Sequence, residues 1–559
     1  MNVKHSTAEG KTSERLTDQQ PESEWNSIDW NTVEKKVNRL QVRIAKATAN
    51  KKWNEVKRLQ YLLTHSYHAK LLAVRRVTTN KGKKTPGVDG ELWLTPASKM
   101  RAAHNLTDKG YKARPLRRVY IEKKGKTEKR PLGIPTMYDR AMQALYALAL
   151  DPVSESTADG KSLGFRKGRC TQDACEYAFT ALARRKFCAE WILEGDIKGC
   201  FDHISHDWLI DNIPMDKSIL KQFLNAGFVF KDKLFPTDDG TPQGGIISPI
   251  LANMALDGIE QVIAENFHNS KYGNRTQHTV AKNRVNFIRY ADDFVVTAAS
   301  PEIAEKVKRV ITDFLKTRGL ELSESKTLIT HINDGFDFLG WTFRKFNGKL
   351  LVKPSKKSIR NLVESLSETI LQSGMAWKQE VLIQKLNRKL RGWANYHQSV
   401  VAKETFSHID FVLFNLLYRW AKRRHPGKSK RFITKKYWHR RGSRSWVFST
   451  DKSALIRVDS TPIVRHTKVR MDANPYMDTE YFTERKFKQG VKRLTGAFKS
   501  VWINQKGCCL HCGMPMEING DRELLFRTPP SEGGTRTAPN MAYVHSICDD
   551  KHKSSRPRG

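Results

Sequence analysis

The segment Val285–Val296, VNFIRYADDFVV, places two adjacent carboxylates between two apolar runs. The β-branched and aromatic residues on each side of a short polar centre predict a strand, a tight turn and a second strand. Asp292 and Asp293 would lie side by side at that turn, where mutual repulsion and partial burial make their ionisation costly. A divalent cation such as Mg²⁺, which binds carboxylate oxygens, would remove that cost.

A third carboxylate, Asp196, comes near the end of another apolar segment, Trp191–Ile197 (WILEGDI), which also predicts a strand. Three carboxylates brought together could hold two metal ions about 4 Å apart, an arrangement that supports in-line attack of a 3′-hydroxyl on a phosphate. An Asp-Asp pair by itself is most often an exposed turn. The prediction of a metal site therefore depends on the motifs around it.

Helix and strand patterns divide the chain. Residues 115–350 mix short β-branched runs, such as Arg117–Ile121, with helical stretches and predict an α+β region. Apolar spacing then predicts helices over Ile359–Leu371, Glu380–Tyr396 and Phe406–Trp420. At roughly 150 residues per domain, a chain of 559 residues should contain three or four domains.

The charge balance points to a polyanionic partner. Lys and Arg number 98 and Asp and Glu 58, which gives a formal net charge of +40. Nucleic acid is the first expected partner and an anionic membrane surface the second. The longest apolar run, Ala141–Leu150, is too short to span a bilayer. The polar N-terminus has no signal-peptide pattern, so a cytoplasmic protein is expected.

The window Arg419–Trp446 is the most basic part of the chain. It holds twelve Lys or Arg residues and no Asp or Glu, with Trp420, Phe432, Tyr437, Trp438 and Trp446 interleaved. Basic residues that alternate with aromatic rings suit single-stranded or looped RNA, because charge follows the phosphates while rings stack on bases. We therefore predict RNA contact here.

The eight cysteines form two groups. Cys170, Cys175, Cys188 and Cys200 are scattered among apolar residues and are predicted to pack in cores. Near the C-terminus, Cys509-x2-Cys512 and His545-x2-Cys548 have the spacing of two metal-ligand pairs. Four nitrogen and sulfur ligands suit a closed structural Zn²⁺ site, with Cys508 outside it.

Seven motifs follow one another in a set order: RRVYIEKKGKTEKRPLGIPT (117–136), SLGFRKGRCTQDA (162–174), DIKGCFDHI (196–204), GTPQGGIISPILAN (240–253), YADD (290–293), LSESKT (322–327) and FLGW (338–341). This order resembles that of a reverse transcriptase. With TPGVDG (85–90) ahead of it, the set resembles the group II intron-encoded class. RGWANYH (391–397) resembles the maturase domain of those proteins, and the Cys/His tail resembles their HNH endonuclease domain, so the resemblance covers about residues 25–559.

The resemblance implies Mg²⁺ ligands at Asp196, Asp292 and Asp293. It implies contacts to the deoxynucleoside triphosphate at Lys123, Arg130, Phe201, Gln243 and Lys326. In that assignment the Phe201 ring fills the space that a ribose 2′-hydroxyl needs, and Lys326 donates a proton to pyrophosphate. Lys124 is an equal candidate for the role of Lys123, because the insert Gly125–Lys129 leaves the alignment uncertain by one residue.

The same resemblance implies two further surfaces. Phe338, Leu339 and Gly340 match the primer grip. The expected surface for intron RNA comprises Arg391, Trp393, Lys422, Arg423, Arg424, Lys435, Lys436, Arg440 and Arg441.

The tail departs from the HNH pattern. Active members carry a His-His pair a few residues before Gly-Gly and a His directly after the last Cys. Here Leu525 and Phe526 occupy the His-His positions, and Asp549 follows Cys548. Neither Leu nor Phe can accept a proton or bind a metal. Asn540 is retained and His552 is a spare candidate ligand, but a tail that keeps its zinc and does not cut DNA is expected.

The predicted architecture is therefore α+β and multidomain, built on a right-hand-type reverse transcriptase. Residues 1–24 would form a disordered tail, 25–105 a helical RNA-binding extension, 106–350 the fingers and palm, 351–450 a helical thumb or maturase domain, 451–500 a basic DNA-binding or linker region, and 501–559 a degenerate, zinc-binding HNH-like ββα tail.

The implied function is that of an RNA-directed DNA polymerase and splicing maturase of a mobile bacterial group II intron. Its expected partners are intron RNA, an RNA/DNA template-primer, target DNA and dNTPs. Two alternatives belong to other classes: an RNA chaperone that has lost polymerisation, and a retron-type reverse transcriptase without a maturase role. The intact YADD and Phe201 argue against the first, and RGWANYH and the Cys/His tail against the second. The sequence contains no heptad seam, and it leaves the oligomeric state open.

Overall fold

The computed structural model describes residues 21–122, 129–184, 188–237, 239–242, 244–269, 277–518, 522–546 and 548–549. The predicted site residues Lys123 and Gln243, together with Lys124 and His552, lie outside these ranges. Within the described ranges, the structure has no helix that is both long enough and apolar enough to cross a membrane.

Between residues 30 and 105, four helices precede the first strand: α1 (Trp30–Ala49), α2 (Trp53–Thr64), α3 (Tyr67–Thr79) and α4 (Pro96–Asn105). Their apolar faces pack on α5 (Met137–Thr157) and bury Val37, Ile44 and Leu59. Residues 21–27 are helical as well, so the prediction that disorder extends to residue 24 is wrong. The reason is that the ring of Trp25 packs edge-on against that of Trp30, with centroids 5.2 Å apart.

The α+β region contains two four-stranded sheets. The fingers sheet has the order β2-β1-β4-β5, from β1 (Leu116–Glu122), β2 (Lys129–Ile134), β4 (Phe228–Phe230) and β5 (Lys233–Phe235). The palm sheet has the order β6-β7-β3-β8, from β3 (Trp191–Asp196), β6 (Asn286–Tyr290), β7 (Asp293–Ala298) and β8 (Leu328–His331). All pairs within the palm sheet are antiparallel.

Helices cover the palm sheet and complete its core. They are α6 (Thr171–Leu182), α7 (Cys200–His203), α8 (His206–Asn212), α9 (Lys217–Leu224), α10 (Ser248–Leu256), α11 (Ile259–Phe267), α12 (Gln277–Asn283) and α13 (Pro301–Lys316). Buried side chains of α13, such as Val307 and Ile311, face the sheet while its charged residues face solvent. The four predicted strands, found as β1, β3, β6 and β7, and their α+β setting are confirmed.

A second core joins the palm to the region after residue 330. A three-stranded sheet, β9 (Phe336–Phe338), β10 (Trp341–Phe346) and β11 (Lys349–Pro354), leads into α14 (Lys356–Glu368), α15 (Gln379–His397), α16 (Lys403–Arg424) and α17 (Lys430–Tyr437). The three predicted helices are confirmed as α14, α15 and α16. The prediction that this region stays helical to residue 450 is wrong, because β12 (Trp438–Arg441) and β13 (Arg444–Phe448) form an antiparallel hairpin.

The segment 451–500 packs against the palm. Asp173 of α6 is fully buried and accepts hydrogen bonds from the ring of His466 (2.9 Å), the guanidinium of Arg485 (2.5 Å) and the backbone nitrogen of Val469 (2.8 Å). Burial raises the pKa of Asp173, but the His466 bond and the Arg485 charge outweigh it and hold the pKa below its usual value.

The C-terminal elements form a small third core. They are α18 (Thr479–Arg493), α19 (Gly496–Asn504) and the hairpin of β14 (Glu523–Phe526) and β15 (Met541–Val544). Trp502, Met516 and Tyr543 are buried together there. The tail also contacts the N-terminal helices, because the Asn31 amide donates to the backbone oxygen of Cys512 at 3.2 Å.

Candidate active site

The palm carboxylates meet at one end of the palm sheet. Asp196, the last residue of β3, lies opposite Asp293, the first residue of β7, in the antiparallel register. Asp292 lies in the turn between β6 and β7, directly before Asp293. The structure therefore brings together the three carboxylates that the sequence analysis grouped.

Backbone geometry fixes the turn. Ala291 adopts a left-handed conformation (φ 58°) that lets the chain reverse within two residues. Gly164 packs so closely that a Cβ there would collide with the backbone nitrogen of Ala291. Likewise, a Cβ on Gly195 would collide with the ring of Phe294. Both glycines are needed because another backbone or ring occupies the place of a side chain.

The buried side chain of Arg289 stabilises the turn. Arg289 has a fully buried side chain that donates to the backbone oxygen of Ala291 (3.3 Å) and to the Asn253 side chain (3.1 Å). It forms an ion pair with Asp257 at 2.7 Å. The turn that carries the carboxylates is thus anchored to α10.

The carboxylates are electrostatically strained. Desolvation, followed by the charges of Asp292 and Asp196, raises the pKa of Asp293 to about 6, even though its side chain is open to solvent at the end of its strand. Desolvation and Asp196 also raise the pKa of Asp292, while Arg130 and Lys326 act in the opposite direction. The Lys326 ammonium lies 2.5 Å from a carboxylate oxygen of Asp196.

This donor set fits Mg²⁺. The three carboxylates offer hard oxygen ligands, and burial together with the neighbouring carboxylate charges raises the pKa values of Asp292 and Asp293. Asp196, Asp292 and Asp293 are the residues that would hold the metal. A bound divalent cation would supply the missing positive charge.

The predicted nucleotide contacts are only partly described. Phe201 lies in α7, half-buried, and its ring approaches that of Phe165 edge-on at 6.1 Å. The backbone nitrogen of Thr241 donates to the backbone oxygen of Phe201 at 2.6 Å. This bond holds the loop before Gln243 against Phe201, the predicted ribose gate that excludes a 2′-hydroxyl. Arg130 is exposed in β2, opposite Ile121.

The predicted primer grip is a tight turn between β9 and β10. Leu339 (φ 50°) and Gly340 (φ 85°) are both left-handed there, and Phe338 is buried. The Tyr396 hydroxyl donates to the Leu339 oxygen at 2.8 Å, and its ring stacks on that of Trp341 with centroids 4.6 Å apart. The RGWANYH segment therefore supports this turn directly.

His397 of that segment packs in the protein core. Its ring is buried edge-on against Trp341 and lies 3.0 Å from the Ser358 hydroxyl. Burial lowers the pKa of His397 to about 3, so the imidazole is neutral at physiological pH.

The residues expected to bind RNA lie on α15, α16, α17 and β12. The basic ones are exposed: Arg391, Lys422, Arg423, Arg424, Lys435, Lys436, Arg440 and Arg441. Trp393 is half-buried and donates to the Ser358 hydroxyl at 3.2 Å.

The aromatic residues of the basic window do not all face outward. Trp420, Tyr437 and Trp438 are buried, and the Trp420 ring nitrogen donates to the Gly374 oxygen at 3.0 Å. They pack around Phe448 and join α16, α17 and the β12–β13 hairpin. The prediction of RNA contact counted these rings as candidates for stacking on bases, and burial excludes these three. Phe432 and Trp446, 42% and 61% exposed, remain available.

The tail gathers its predicted metal ligands. The ligand atoms of Cys509, Cys512, His545 and Cys548 all lie within 4.8 Å of one another, and His545 Nδ1 is 3.4 Å from Cys512 Sγ. Three thiols and an imidazole suit a structural zinc site. Cys508 is outside this group, as predicted.

The two positions that the HNH resemblance matches to a His-His pair are apolar packing positions. Leu525 and Phe526 end β14 and pack against the tail core. Asn540 serves as a backbone clamp, accepting from the Thr528 nitrogen (2.8 Å) and donating to the Thr528 oxygen (2.9 Å). Asp549 is buried.

Three family models match the chain along most of its length. "N-terminal domain of reverse transcriptase" matches residues 25–106, "Reverse transcriptase (RNA-dependent DNA polymerase)" residues 121–343, and "Group II intron, maturase-specific domain" residues 359–438. The chain belongs to the group II intron reverse transcriptase and maturase family. It is thus an RNA-directed DNA polymerase and a splicing maturase by family, which confirms the function expected from the sequence.

Individual relatives agree with this. The group II intron-encoded protein LtrA of Lactococcus lactis subsp. cremoris is 28% identical over 467 residues, which cover 67% of this chain and 76% of LtrA. Protein YkfC of Escherichia coli is 34% identical over 305 residues, covering 48% of this chain and 78% of YkfC. Among solved structures, telomerase from Candida albicans superposes with a TM-score of 0.32 and 12% identity over 60% of this chain and 66% of that one, too loosely for a conclusion.

Sequence reasoning missed two contributors to this reverse transcriptase site. Arg289 carries a charge inside an apolar strand, three positions before Asp292, and that anomaly could have marked it as a buried ion-pair partner. Tyr396 was seen only as part of RGWANYH. Its contact with the primer grip joins residues 57 positions apart, which no local pattern reveals.

Proposed function

We propose that this group II intron reverse transcriptase extends a DNA primer at Asp196, Asp292 and Asp293, which would hold two Mg²⁺ ions. The observation that carries the proposal is the convergence of the three carboxylates at one sheet end, with raised pKa values for Asp292 and Asp293. When bound, the cations would supply positive charge to the attacking 3′-hydroxyl and the leaving pyrophosphate.

Other residues would orient and select the nucleotide. Lys326, whose ammonium lies at Asp196, would donate a proton to the pyrophosphate. Arg130 would hold the triphosphate through its fork of N–H donors. The Phe201 ring would exclude ribonucleotides by occupying the space of the 2′-hydroxyl. Lys123 and Gln243 are proposed as further contacts from the motif resemblance alone.

The maturase role has a different physical basis. The intron RNA would perform the splicing chemistry, and the protein would stabilise its folded shape through exposed cations. Support comes from the eight Lys and Arg residues of the predicted RNA surface, all of which are exposed on α15–α17 and β12. Charge in this arrangement tracks phosphates in a structured RNA.

Primer extension beside a splicing assay tests both roles. The double variant Asp292→Asn with Asp293→Asn should abolish cDNA synthesis on an RNA template and leave splicing of the cognate intron largely intact. Asp313→Asn, which changes an exposed carboxylate on α13, is the matched control and should retain both activities. Loss of both activities in a folded double variant would contradict the separation of roles.

We further propose that the tail is a zinc-stabilised, HNH-like module that contacts DNA without cutting it. The clustered Cys509, Cys512, His545 and Cys548 support the zinc, and the apolar Leu525 and Phe526 support the loss of cleavage. The purified protein, incubated with a target duplex and Mg²⁺, should leave both strands intact. Nicking of either strand would overturn this part of the proposal.

A further inference from the structure

One face of α18 presents a row of nitrogen donors to the palm. Arg485, Gln489 and Arg493 are spaced four residues apart and therefore share one side of the helix. They face the palm loop Phe165–Cys170 across a cavity of about 400 Å³. Arg169 of that loop lines the same cavity.

These donors are not satisfied within the described part of the chain. Four buried atoms have no hydrogen-bond partner there: Arg169 Nε, Arg485 Nε, Gln489 Nε2 and Arg493 Nη1. The side chains of Arg169 and Arg485 are 0% and 9% exposed. Glu155 and Asp173 each engage only the terminal nitrogens of these arginines. Buried donors without partners cost free energy, and these four belong to residues that line the same cavity, where an acceptor placed among them would satisfy the donors.

Positive charge predominates around the cavity, which is lined by six Lys or Arg residues and one carboxylate. Arg493 has no ion-pair partner among the described residues, and burial together with the neighbouring Arg485 lowers its pKa. The nearest carboxylate on the tail side, Glu517, is already paired with Lys486 at 3.2 Å. An anion with several acceptor oxygens would satisfy both the charge and the donors.

We propose that this cavity binds a phosphodiester group of the nucleic-acid strand held at the palm, through Arg485, Gln489 and Arg493 of α18 and Arg169 of the palm loop. This inference rests on the proposed function. A phosphate offers the oxygens that a guanidinium fork binds in pairs. Contacts of this kind position a strand without reading its sequence.

The location ties the cavity to the catalytic centre. Phe165 lines the cavity, is 55% exposed and lies 6.1 Å from the ring of Phe201. The residue before it, Gly164, packs on Ala291 of the carboxylate turn. A strand with one phosphate in the cavity would therefore pass along Phe165 toward the nucleotide site.

The variant Gln489→Glu tests whether the donors of this cavity bind a phosphate or only stabilise the fold. The new carboxylate would lie between Arg485 and Arg493 at helical spacing, pair with them and occupy the anion's place. We expect the thermal unfolding midpoint of this variant to rise. Its affinity for a fluorescein-labelled RNA template annealed to a DNA primer should fall about tenfold. Higher stability with unchanged affinity would overturn the proposal.

Salt titration provides the second measurement. Arg493→Gln should lower the affinity and reduce the slope of log K against log salt by about 0.7, as loss of one single-strand phosphate contact does. Lys488→Gln is the control. Lys488 is an exposed residue of the same helix, paired with Glu484 outside this cavity, and its variant should keep the parental slope.

Two template designs identify the strand. If the Arg493→Gln defect requires a 5′ template overhang, the phosphate belongs to the incoming template. If the defect persists on a blunt primer-template duplex, it belongs to the duplex leaving the palm. Parental affinity and slope on both designs would overturn the proposal. Failure of the unmodified protein to extend any primer would instead contradict the proposed polymerase assignment.

Discussion

Asp196 and Asp293 face each other across β3 and β7, so neighbouring antiparallel strands deliver both carboxylates to one sheet end. Asp292 adds a third negative charge from the turn, and only Lys326 makes an ion pair with the group, through Asp196, among the described residues. Burial, together with the charges of Asp292 and Asp196, raises the pKa of Asp293 to about 6. A bound cation would therefore stabilise this site by offsetting the negative charge of the carboxylates.

Mg²⁺ should stabilise the protein in a pH-dependent way. The folded-state pKa of Asp293, about 6, lies above its ordinary value of 3.8, so the folded protein binds this proton more tightly than the unfolded chain. Without a cation, stability is lost as the pH rises through that window. Mg²⁺ should therefore raise the thermal unfolding midpoint more near neutral pH than at about pH 5.

The control for this measurement is the Asp292→Asn, Asp293→Asn double variant, which should lose the pH-dependent part of the Mg²⁺ effect. Asp313→Asn should keep it. An equal Mg²⁺ shift across the pH range in the unmodified protein would contradict the assignment of these carboxylates to the metal.

Phe201→Val should admit ribonucleotides. The shorter side chain would free the space of a 2′-hydroxyl, and discrimination against ribonucleotides should fall on the order of tenfold or more. Single-nucleotide extension with paired dNTP and rNTP titrations measures the ratio. Phe201→Tyr keeps the ring and should keep the selectivity. If the Val variant discriminates as strongly as the parent, the ring is not the ribose gate.

Zinc content should depend on Cys509 and not on its neighbour Cys508. Cys509 lies in the four-ligand cluster, whereas Cys508 lies outside it. Elemental analysis should find about one zinc per chain in the parent and in Cys508→Ser, and much less in Cys509→Ser. A chelator should lower the unfolding midpoint of the parent. Equal zinc content in both variants would exclude the predicted ligand set.

Arg289→Met should destabilise the protein strongly. It removes the partner of Asp257 in a buried ion pair and is expected to cost about 3–5 kcal/mol in the free energy of unfolding. Denaturant titration measures the change, and the double variant Arg289→Met, Asp257→Asn should recover part of it. Arg309→Met, an exposed change on α13, should cost little. A single variant as stable as the parent would show that the pair does not support the turn.

Neutralising Lys435, Lys436, Arg440 and Arg441 should weaken intron RNA binding and flatten its salt dependence together. Each lost phosphate contact should reduce the slope of log K against log salt by about 0.7–0.9. Filter binding across a salt series measures both quantities. Neutral changes at Lys306 and Arg309, exposed cations of α13, are the control. They remove positive charge outside the predicted RNA surface.

Local sequence patterns predicted the palm well because its strands and its carboxylates lie within short continuous segments. The apolar runs around Asp292 and before Asp196 required strands, and the register between those strands brought the carboxylates together. The ligand spacing of the tail likewise predicted its cluster. Period, length and turn chemistry were sufficient in these cases.

Contacts between distant segments could not be predicted. Trp420 and Tyr437 lie among lysines and arginines in sequence, yet they are buried because the β12–β13 hairpin folds over them. A basic neighbourhood does not reveal which rings face inward. The partners of Asp173 were equally hidden, because they come from a segment whose composition resembles a linker.

The connection of Asp173 with His466 and Arg485 has a consequence for synthesis of the protein. These partners follow Asp173 by 293 and 312 residues, so a ribosome completes the whole palm before it makes them. Until then Asp173 has only its local hydrogen bonds from Cys170 and lacks both cationic partners. We therefore expect the contact between the palm and the segment 451–500 to form late, after Arg485 has left the ribosome.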